Sequence, residues 1–264
     1  MTNEQNPLPA SLMGLPPSPL PASAEIDVSV VTPMYNEAGA AAALLQEIAA
    51  AMAGRRFEIL AVDDASTDAT FDVLTKAKQD IPALRALRHR SNAGQSRAVR
   101  TGVIAARGGI IATLDGDGQN NPADLPQLID ALSAADASPT LMMAAGERQK
   151  RQDSQAKKLA SRMANSIRSS LLKDGAADTG CGLKVFRRDA YLRLPYFDHS
   201  HRYLPAMMRR EGYEVAFLPV SHRPRVHGAS KYTNLGRLAV AIRDMLGVIW
   251  LNDRARSPVH VDEA

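Results

Sequence analysis

Four times in the first half of the chain a short apolar run gives way to a longer stretch of helical character. Val28-Ser29-Val30-Val31-Thr32 is rich in β-branched residues and is closed by Pro33; Ala38 to Ala53 is alanine-rich and ends at Gly54. Phe57 to Val62 is a second apolar run, ending in Asp63-Asp64, and Ser66-Thr67-Asp68 supplies cap residues for a helix through about Lys78. Leu84 to Leu87 is a short third strand, followed by a helix from Ser96 to Ala106 that stops at Gly108-Gly109. Ile110 to Leu114 is a fourth strand, ending in Asp115-Gly116-Asp117, and Pro122 to Leu132 forms a fourth helix. Strand and helix in alternation predict an α/β fold, a doubly wound, mostly parallel sheet flanked by helices. Sheets of this kind bind ligands beyond the carboxyl ends of their strands. Pro33–Glu37, Asp63-Asp64 and Asp115–Gln119 all fall at such ends.

The flanks read differently. Residues 1–24 hold six prolines and no Lys or Arg, a composition that predicts a disordered leader. Domain organisation follows as leader 1–24, one catalytic-sized domain over 25–232, and an amphipathic helix with tail over 233–264. Arg148 to Lys173 carries eight Lys and Arg, and on a helix its Leu159, Met163, Ile167 and Leu171 recur every four residues. That stripe predicts a core-facing helix whose basic face is solvated or lies against anionic lipid headgroups. Leu235 to Leu251 is a second amphipathic candidate, with Leu238, Ile242, Met245, Ile249 and Trp250 beside Arg237 and Arg243. Burial in the core, an oligomer contact and a place in a membrane surface all fit it. No apolar run reaches the roughly 18–20 residues that span a bilayer. The amino terminus lacks the basic and apolar regions of a signal peptide.

Charge and composition narrow the chemistry. The 264 residues carry a formal net charge of +4. Residues 1–146 hold 10 Lys+Arg against 16 Asp+Glu (net −6), and residues 147–264 hold 22 against 12 (net +10). An acidic first half and a basic second half fit a cation in one and an anionic partner in the other. Nucleic acid is disfavoured as that partner: aromatics are 5% of residues and no helix-turn-helix, RNP or zinc-finger pattern occurs. The single cysteine, Cys181, excludes an internal disulfide and a cysteine-based zinc site. His199, His201, His222 and His227 are not spaced for one helical face and read as loop residues rather than zinc ligands. No Gly-x-Gly-x-x-Gly follows the first strand and no Walker A motif is present, which disfavours a Rossmann dehydrogenase and a P-loop enzyme.

Asp115-Gly116-Asp117-Gly118-Gln119 places two carboxylates and an amide within five residues, with glycines that allow a sharp turn and a close ligand. Oxygen donors of this kind suit Mg²⁺ or Mn²⁺, leaving coordination positions for water and substrate phosphate. An Asp-Gly hairpin turn is the alternative, but the preceding strand and following helix favour the ligand site. Asp63-Asp64 suits base N–H groups or ribose hydroxyls, or else capping of the next helix. Pro33-Met34-Tyr35-Asn36-Glu37 is a rigid turn with an aromatic face, fit for a nucleobase edge or a plain surface loop.

These three motifs together, in the forms Val30–Glu37, Val62–Asp68 and Leu114–Gln119, resemble glycosyltransferase family 2. The narrower likeness is to its dolichyl- and polyprenyl-phosphate glycosyltransferases, typified by dolichol-phosphate mannosyltransferase. Later segments extend it to Tyr232: Gly146-Glu147-Arg148, Asp178 to Lys184, His201-Arg202-Tyr203 and Arg225 to Tyr232. Gln95 stands where many relatives have Lys, and Asn120 where many have His. The resemblance implies a GT-A fold, a nucleotide-sugar donor (GDP-mannose or a UDP-sugar), Mn²⁺ or Mg²⁺, and a polyprenyl phosphate acceptor. It implies placement at the inner, cytoplasmic face of a membrane, without a nucleic-acid partner and with a homo-oligomer left open. Pro33, Tyr35, Glu37 and Asp64 would hold the nucleoside. Asp115, Gly116, Asp117 and Gln119 would hold the metal and donor diphosphate, and Arg148, Arg225 and Lys231, with Lys184, would contact phosphates. A phosphomonoester acceptor, with a second pKa near ~6, is largely a dianion at neutral pH and needs no general base. Direct displacement would then invert the anomeric carbon. A soluble glycan or protein acceptor, or a nucleotide-sugar-binding module without turnover, are the competing expectations.

Overall fold

The computed structural model describes residues 26–148, 171–172, 174–176, 178–224 and 234–255. The first strand, β1 (Val28–Met34), is buried along its whole length and pairs in parallel with β2 (Phe57–Asp63) and β4 (Ile110–Thr113). It runs two residues past Thr32, the last of the expected strand, and through Pro33. The reason is local: pairing with β4 ends at Val31↔Thr113, whereas pairing with β2 continues through Pro33↔Val62 and Met34↔Asp63. The Asp64 N–H donates to the Met34 carbonyl at 2.8 Å, so Pro33, one residue back, turns its missing N–H to the side β4 has left.

Three helices alternate with these strands as the pattern predicts: α1 (Ala38–Ala51), α2 (Thr70–Ala77) and α3 (Gln95–Ala105), with β3 (Leu84–Arg88) on the outer edge. The stretch after β4 enters a 3₁₀ turn at Pro122–Asp124, which the Asn121 side chain caps, and continues as α4 (Leu125–Ser133).

Beyond α4 the structure adds what the hydrophobic pattern did not predict. β5 (Leu141–Arg148), β6 (Lys184–Arg187) and β7 (Glu214–Val220) extend the sheet to seven strands in the order β3-β2-β1-β4-β6-β5-β7. β6 runs antiparallel to both β4 and β5, while β7 is parallel to β5. Two short helices, α5 (Arg188–Arg193) and α6 (Leu204–Arg210), separate β6 from β7, and α7 (Asn234–Asp253) follows.

Both sheet faces are covered. Val30, Ala112 and Val185 face α1, α2 and α4 through Leu45, Ile48, Leu74 and Leu128. Val31, Ile111 and Phe186, one residue out of phase, face α3, α5 and α6 through Val99, Val103, Tyr191 and Met207. The result is a three-layer α/β/α sandwich. α7 packs its Val248, Met245 and Ile249 on Leu172, Tyr203 and Ala206. The carboxyl ends of β1, β2, β4 and β5 and the amino end of antiparallel β6 therefore open onto one rim. The expected leader, most of the 148–173 basic stripe and the 225–233 boundary lie outside the described residues.

Candidate functional site at the carboxyl rim

The loop leaving β4 is held in a fixed turn. The Asp115 N–H donates to Asn120 Oδ1 at 3.0 Å, and Asp117 Oδ1 accepts the Gln119 N–H at 3.1 Å. Gly118 sits at φ +73°, and Gly116 presses so close to the Pro33 carbonyl that a Cβ would lie 2.7 Å from it. Asp115, Gly116, Asp117 and Gln119 are thus gathered against the end of β1. The same loop is tied to the chain leaving β7: Arg223 N–H donates to the Gln119 carbonyl at 3.0 Å, and Arg223 Nη2 to Asn121 Oδ1 at 2.5 Å.

The loops after β1 and β2 interlock. Asn36, at φ +54°, donates its N–H to Ser66 Oγ (2.9 Å), and its Oδ1 accepts from the Thr67 N–H (2.8 Å). Glu37 N–H donates to Thr70 Oγ1 at 2.9 Å. Asp68 accepts from Ala38 and Thr70, and although burial pushes its carboxyl up, those hydrogen bonds leave it below the usual carboxylate range. Tyr35 stands exposed at the tip and Pro33 lines the adjoining cleft.

Asp64 is placed at the rim, yet its carboxylate faces its own fold. It accepts from His89 Nδ1 (2.7 Å), Asn92 Nδ2 (2.9 Å), Ala93 N–H (2.9 Å) and Gly94 N–H (2.8 Å). Those donors span the loop between β3 and α3, where Gly94 adopts φ +86° and ψ 160°, a region open essentially to glycine alone. The next residue is Gln95, and its Nε2 donates to Asp115 Oδ1 at 2.7 Å.

Beneath Asp115 lie two cations from the basic half. Lys184 is buried, donates to the Cys181 carbonyl, and acts on Asp115 through its charge. Arg148 forms a two-pronged pair with Asp178, at 2.5 Å from Nε and 2.7 Å from Nη2. Burial raises the Asp115 carboxyl above its ordinary value, and the Asp117 charge adds to the rise; Lys184, Arg148 and the Gln95 bond offset part of it. Burial lowers the Lys184 ammonium, with Cys181 and Asp115 opposing. His201 completes the floor: its Nδ1 lies 2.6 Å from Ser96 Oγ, and burial, then the Lys184 charge, hold it well below the usual histidine range. Pro33, Gln95, Asp115, Gly182, Lys184 and His201 enclose a cavity of about 20 Å³ here, room for one water.

The structure brings Pro33, Asp115, Gly116, Asp117, Gln119, Lys184 and Arg148 to one rim, with Tyr35, Glu37 and Asp64 alongside. Arg225 and Lys231 lie outside the described residues. Gln95 and Asn120, which the sequence marked only as departures, touch Asp115 directly, and Ser96, His89 and Asn92 form the support behind them. Their signal is the polar Ser91-Asn92-Ala93-Gly94-Gln95-Ser96 turn ahead of an amphipathic helix, which does not name its targets.

For an absent divalent cation the donor set fits: hard oxygens from Asp115, Asp117 and Gln119 on one tight loop. No cluster of three or more His, Cys, Asp or Glu able to hold a metal occurs among the described residues.

Residues 29–194 match the profile described as Glycosyl transferase family 2. Dodecaprenyl-phosphate galacturonate synthase of Rhizobium johnstonii is 32% identical over 244 residues, covering 89% of this chain and 70% of the relative. Undecaprenyl-phosphate 4-deoxy-4-formamido-L-arabinose transferase of Edwardsiella ictaluri is 33% identical over 210 residues; the match takes in 78% of this chain and 62% of that protein's length. Among solved structures, glucosyl-3-phosphoglycerate synthase of Mycobacterium tuberculosis, in complex with Mn²⁺, UDP and glucosyl-3-phosphoglycerate, superposes with a TM-score of 0.64 at 16% identity, covering 89% of this chain and 81% of that one. A Pyrobaculum calidifontis mannosyltransferase with GDP-Man and Mn²⁺ gives 0.63 at 21% identity, over 89% and 67%. These two likenesses are of fold. With the strand-end motifs gathered on one rim of a GT-A fold and the family profile matched from β1 to α5, the chain belongs to glycosyl transferase family 2 and is a glycosyltransferase.

Proposed function

We propose that this protein transfers a sugar from a nucleotide-sugar donor to a polyprenyl phosphate, with inversion at the anomeric carbon, while docked peripherally on a membrane. The observation that carries the reading is the Asp115–Gln119 loop: two carboxylates and an amide presented together at the mouth of the parallel strands. Support for the acceptor comes from the two curated relatives, whose names specify dodecaprenyl- and undecaprenyl-phosphate. The sugar and base are left at the level of a nucleotide sugar, GDP-mannose and UDP-sugars both being in scope.

Asp115, Asp117 and Gln119 would hold Mn²⁺ or Mg²⁺, which when bound supplies Lewis-acid charge to a leaving diphosphate. The chain's residues do the rest by positioning. Pro33, Tyr35 and Glu37 form the wall for the nucleoside, and Asp64 keeps the neighbouring loop in shape. Arg148, with Arg225 and Lys231, would meet phosphate oxygens. A dianionic acceptor brings its own nucleophile, so catalysis rests on orientation and charge.

For the membrane, α7 is the supporting element. Ile242, Leu246 and Trp250, spaced four apart, are 46%, 60% and 62% exposed, while the adjoining Val248 face is buried. No described helix is long and apolar enough to cross a bilayer. A stripe wider than the core can cover suits a helix lying in the interfacial plane.

The test is incubation of the protein with GDP- and UDP-sugars, undecaprenyl phosphate and Mn²⁺, reading lipid-linked sugar. Product from wild type but not from Asp117→Ala, with matching unfolding midpoints, is the expected result. Wild-type turnover by Asp117→Ala overturns the cation assignment, and absence of lipid-linked product from every donor overturns the acceptor assignment.

A further inference from the structure

His201 lines the one-water cavity beneath Asp115, and its hydrogen bonds fix which ring nitrogen carries the proton. The Ser96 hydroxyl accepts the His201 backbone N–H at 3.3 Å and lies 2.6 Å from Nδ1 of the ring. Ser96 is buried, and its Oγ has no other hydrogen-bond partner among the described residues. Were Nδ1 the donor, the Ser96 proton would be left buried without an acceptor. The hydroxyl therefore donates to Nδ1, and in a neutral imidazole the proton then sits on Nε2. Burial, and after it the Lys184 charge, keep the ring neutral. Nε2–H is left as a donor without a partner among the described residues. Its place is fixed as well, because the turn Ser200–Arg202 that carries it is tied to α7 at both sides. His199 Nδ1 lies 3.1 Å from Asp244 Oδ2, and the Tyr203 hydroxyl donates to the Ala241 carbonyl at 3.1 Å.

What this niche takes follows from its size and its polar groups. At about 20 Å³ it holds one oxygen and not a sugar ring. Val99, Leu114 and Leu204 make part of its wall apolar. Gln95 and Lys184, also in the wall, already donate to Asp115 and to the Cys181 carbonyl. The His201 N–H is the donor left over, and the Asp115 carboxylate is an acceptor. A hydroxyl both donates and accepts, so it satisfies the two at once. A phosphate oxygen only accepts, and would meet the Asp115 charge as a second anion. A bare methylene in the hydroxyl's place would leave the N–H unpaired, at a cost of about 1–3 kcal/mol. With Nδ1 engaged by Ser96 and Nε2 protonated, His201 has no lone pair free to act as a base, so its part is recognition.

We propose that His201 is a specificity-determining residue whose Nε2–H, fixed by Ser96, receives one hydroxyl of the sugar on the nucleotide donor, that hydroxyl taking the place of a single water. This rests on the nucleotide-sugar reading of the rim; the acceptor plays no part in it or in its test. GDP-mannose, UDP-glucose, GDP and UDP are each titrated calorimetrically into the full-length protein with Mn²⁺ and no acceptor. His201→Leu is expected to weaken the sugar nucleotide that wild type binds about tenfold, or about 1.4 kcal/mol, and to leave the matching diphosphate unchanged. His201→Gln returns an amide N–H near the place of Nε2 and recovers most of the loss. Ser96→Ala frees the tautomer and weakens the sugar nucleotide with the same selectivity. Among monodeoxy analogues of that donor, one ring position costs wild type affinity and costs His201→Leu nothing further. In ¹⁵N-histidine NMR of wild type at neutral pH, Nε2 of His201 is protonated and Nδ1 is not, a signature that a merely structural histidine does not require. Equal losses of sugar nucleotide and diphosphate in His201→Leu overturn the inference, as does a protonated Nδ1 in wild type. Should His201→Leu fail to fold, Ser96→Ala in the same titrations decides. Wild type that binds neither diphosphates nor sugar nucleotides overturns the donor reading and this inference with it, whereas selective loss in His201→Leu upholds the inference whatever the acceptor proves to be.

Discussion

Removing the Asp64 carboxylate distinguishes two roles that its position permits. The side chain is almost fully buried and accepts four hydrogen bonds, from His89, Asn92, Ala93 and Gly94. Asp64→Ala strands two buried-side N–H groups and an amide, and lets the β3–α3 loop lose its anchor. Taking one partner out of a buried charged network costs about 3–5 kcal/mol. For a domain of this size each kcal/mol moves the unfolding midpoint by roughly 2–4 °C, so a drop of roughly 6–20 °C is expected. Asp64→Asn keeps the volume but turns an acceptor oxygen into an NH₂ facing donors, so it falls by a similar amount rather than rescuing. Thermal unfolding followed by circular dichroism, without ligand, reads the result. Nucleotide affinity also drops, because Gly94 and Gln95 shift together. Midpoints for both variants within experimental error of wild type, with UDP or GDP binding lost, would refute the reasoning: the carboxylate would then serve the nucleoside rather than the loop.

Ala65 adopts φ +59°, a left-handed conformation that costs an L-residue about 1–2 kcal/mol, so Ala65→Gly is expected to raise the unfolding midpoint by roughly 2–8 °C; an unchanged or lower midpoint contradicts this. His201 is held neutral by burial, and its folded pKa lies below its unfolded one. The unfolded chain therefore takes up the proton first, and stability falls as pH drops below about 6.5, by up to about 1.4 kcal/mol per pH unit, whereas His201→Gln flattens that part of the curve; parallel denaturant titrations at several pH values give the comparison. Leu246→Ser with Trp250→Ser removes side chains worth about 1.5–3 kcal/mol each when buried and is expected to cut binding to anionic vesicles at least about tenfold in flotation, with the folded midpoint retained. Unaltered flotation would assign that face of α7 to something other than lipid.

The half of the fold that was legible in the sequence is the half whose elements announce themselves locally. β1, β2 and β4 are buried on both faces, so their residues form mostly apolar runs, interrupted only by Ser29 and Thr32 in β1, Glu58 in β2 and the terminal Asp63 and Thr113, and Asp or Pro stands at or just beyond each carboxyl end. β5 begins Leu141-Met142-Met143-Ala144-Ala145, without a β-branched residue, and β6 is four residues bounded by Lys184 and Arg187; neither carries a periodic signal, and both depend on neighbours for their identity. The extension of β1 through Pro33 was hidden for a related reason, because it depends on where β4 stops. At the site the carboxylates could be read from spacing along five residues. What orients them could not. Asn120 lies within the loop and still gave no hint that its amide would hold the Asp115 N–H, and Gln95 and Gly182 reach Asp115 from distant segments that only the fold brings together.

The uneven charge of the sequence acquires a spatial meaning at the same place. The acidic half contributes Asp115 and Asp117 on the loop after β4; the basic half returns through β5 and antiparallel β6 to set Arg148 and Lys184 beneath them. Arg148 is tempered by Asp178, and Lys184 is capped by the Cys181 carbonyl. The charges of Lys184 and Arg148 offset part of the rise that burial and the Asp117 charge impose on the Asp115 carboxyl, and the Gln95 amide adds a neutral hydrogen bond to it. A sheet that is parallel up to β4 and reverses at β6 is what allows this placement, since the reversal brings the start of β6, and Lys184 with it, to the rim where the parallel strands end.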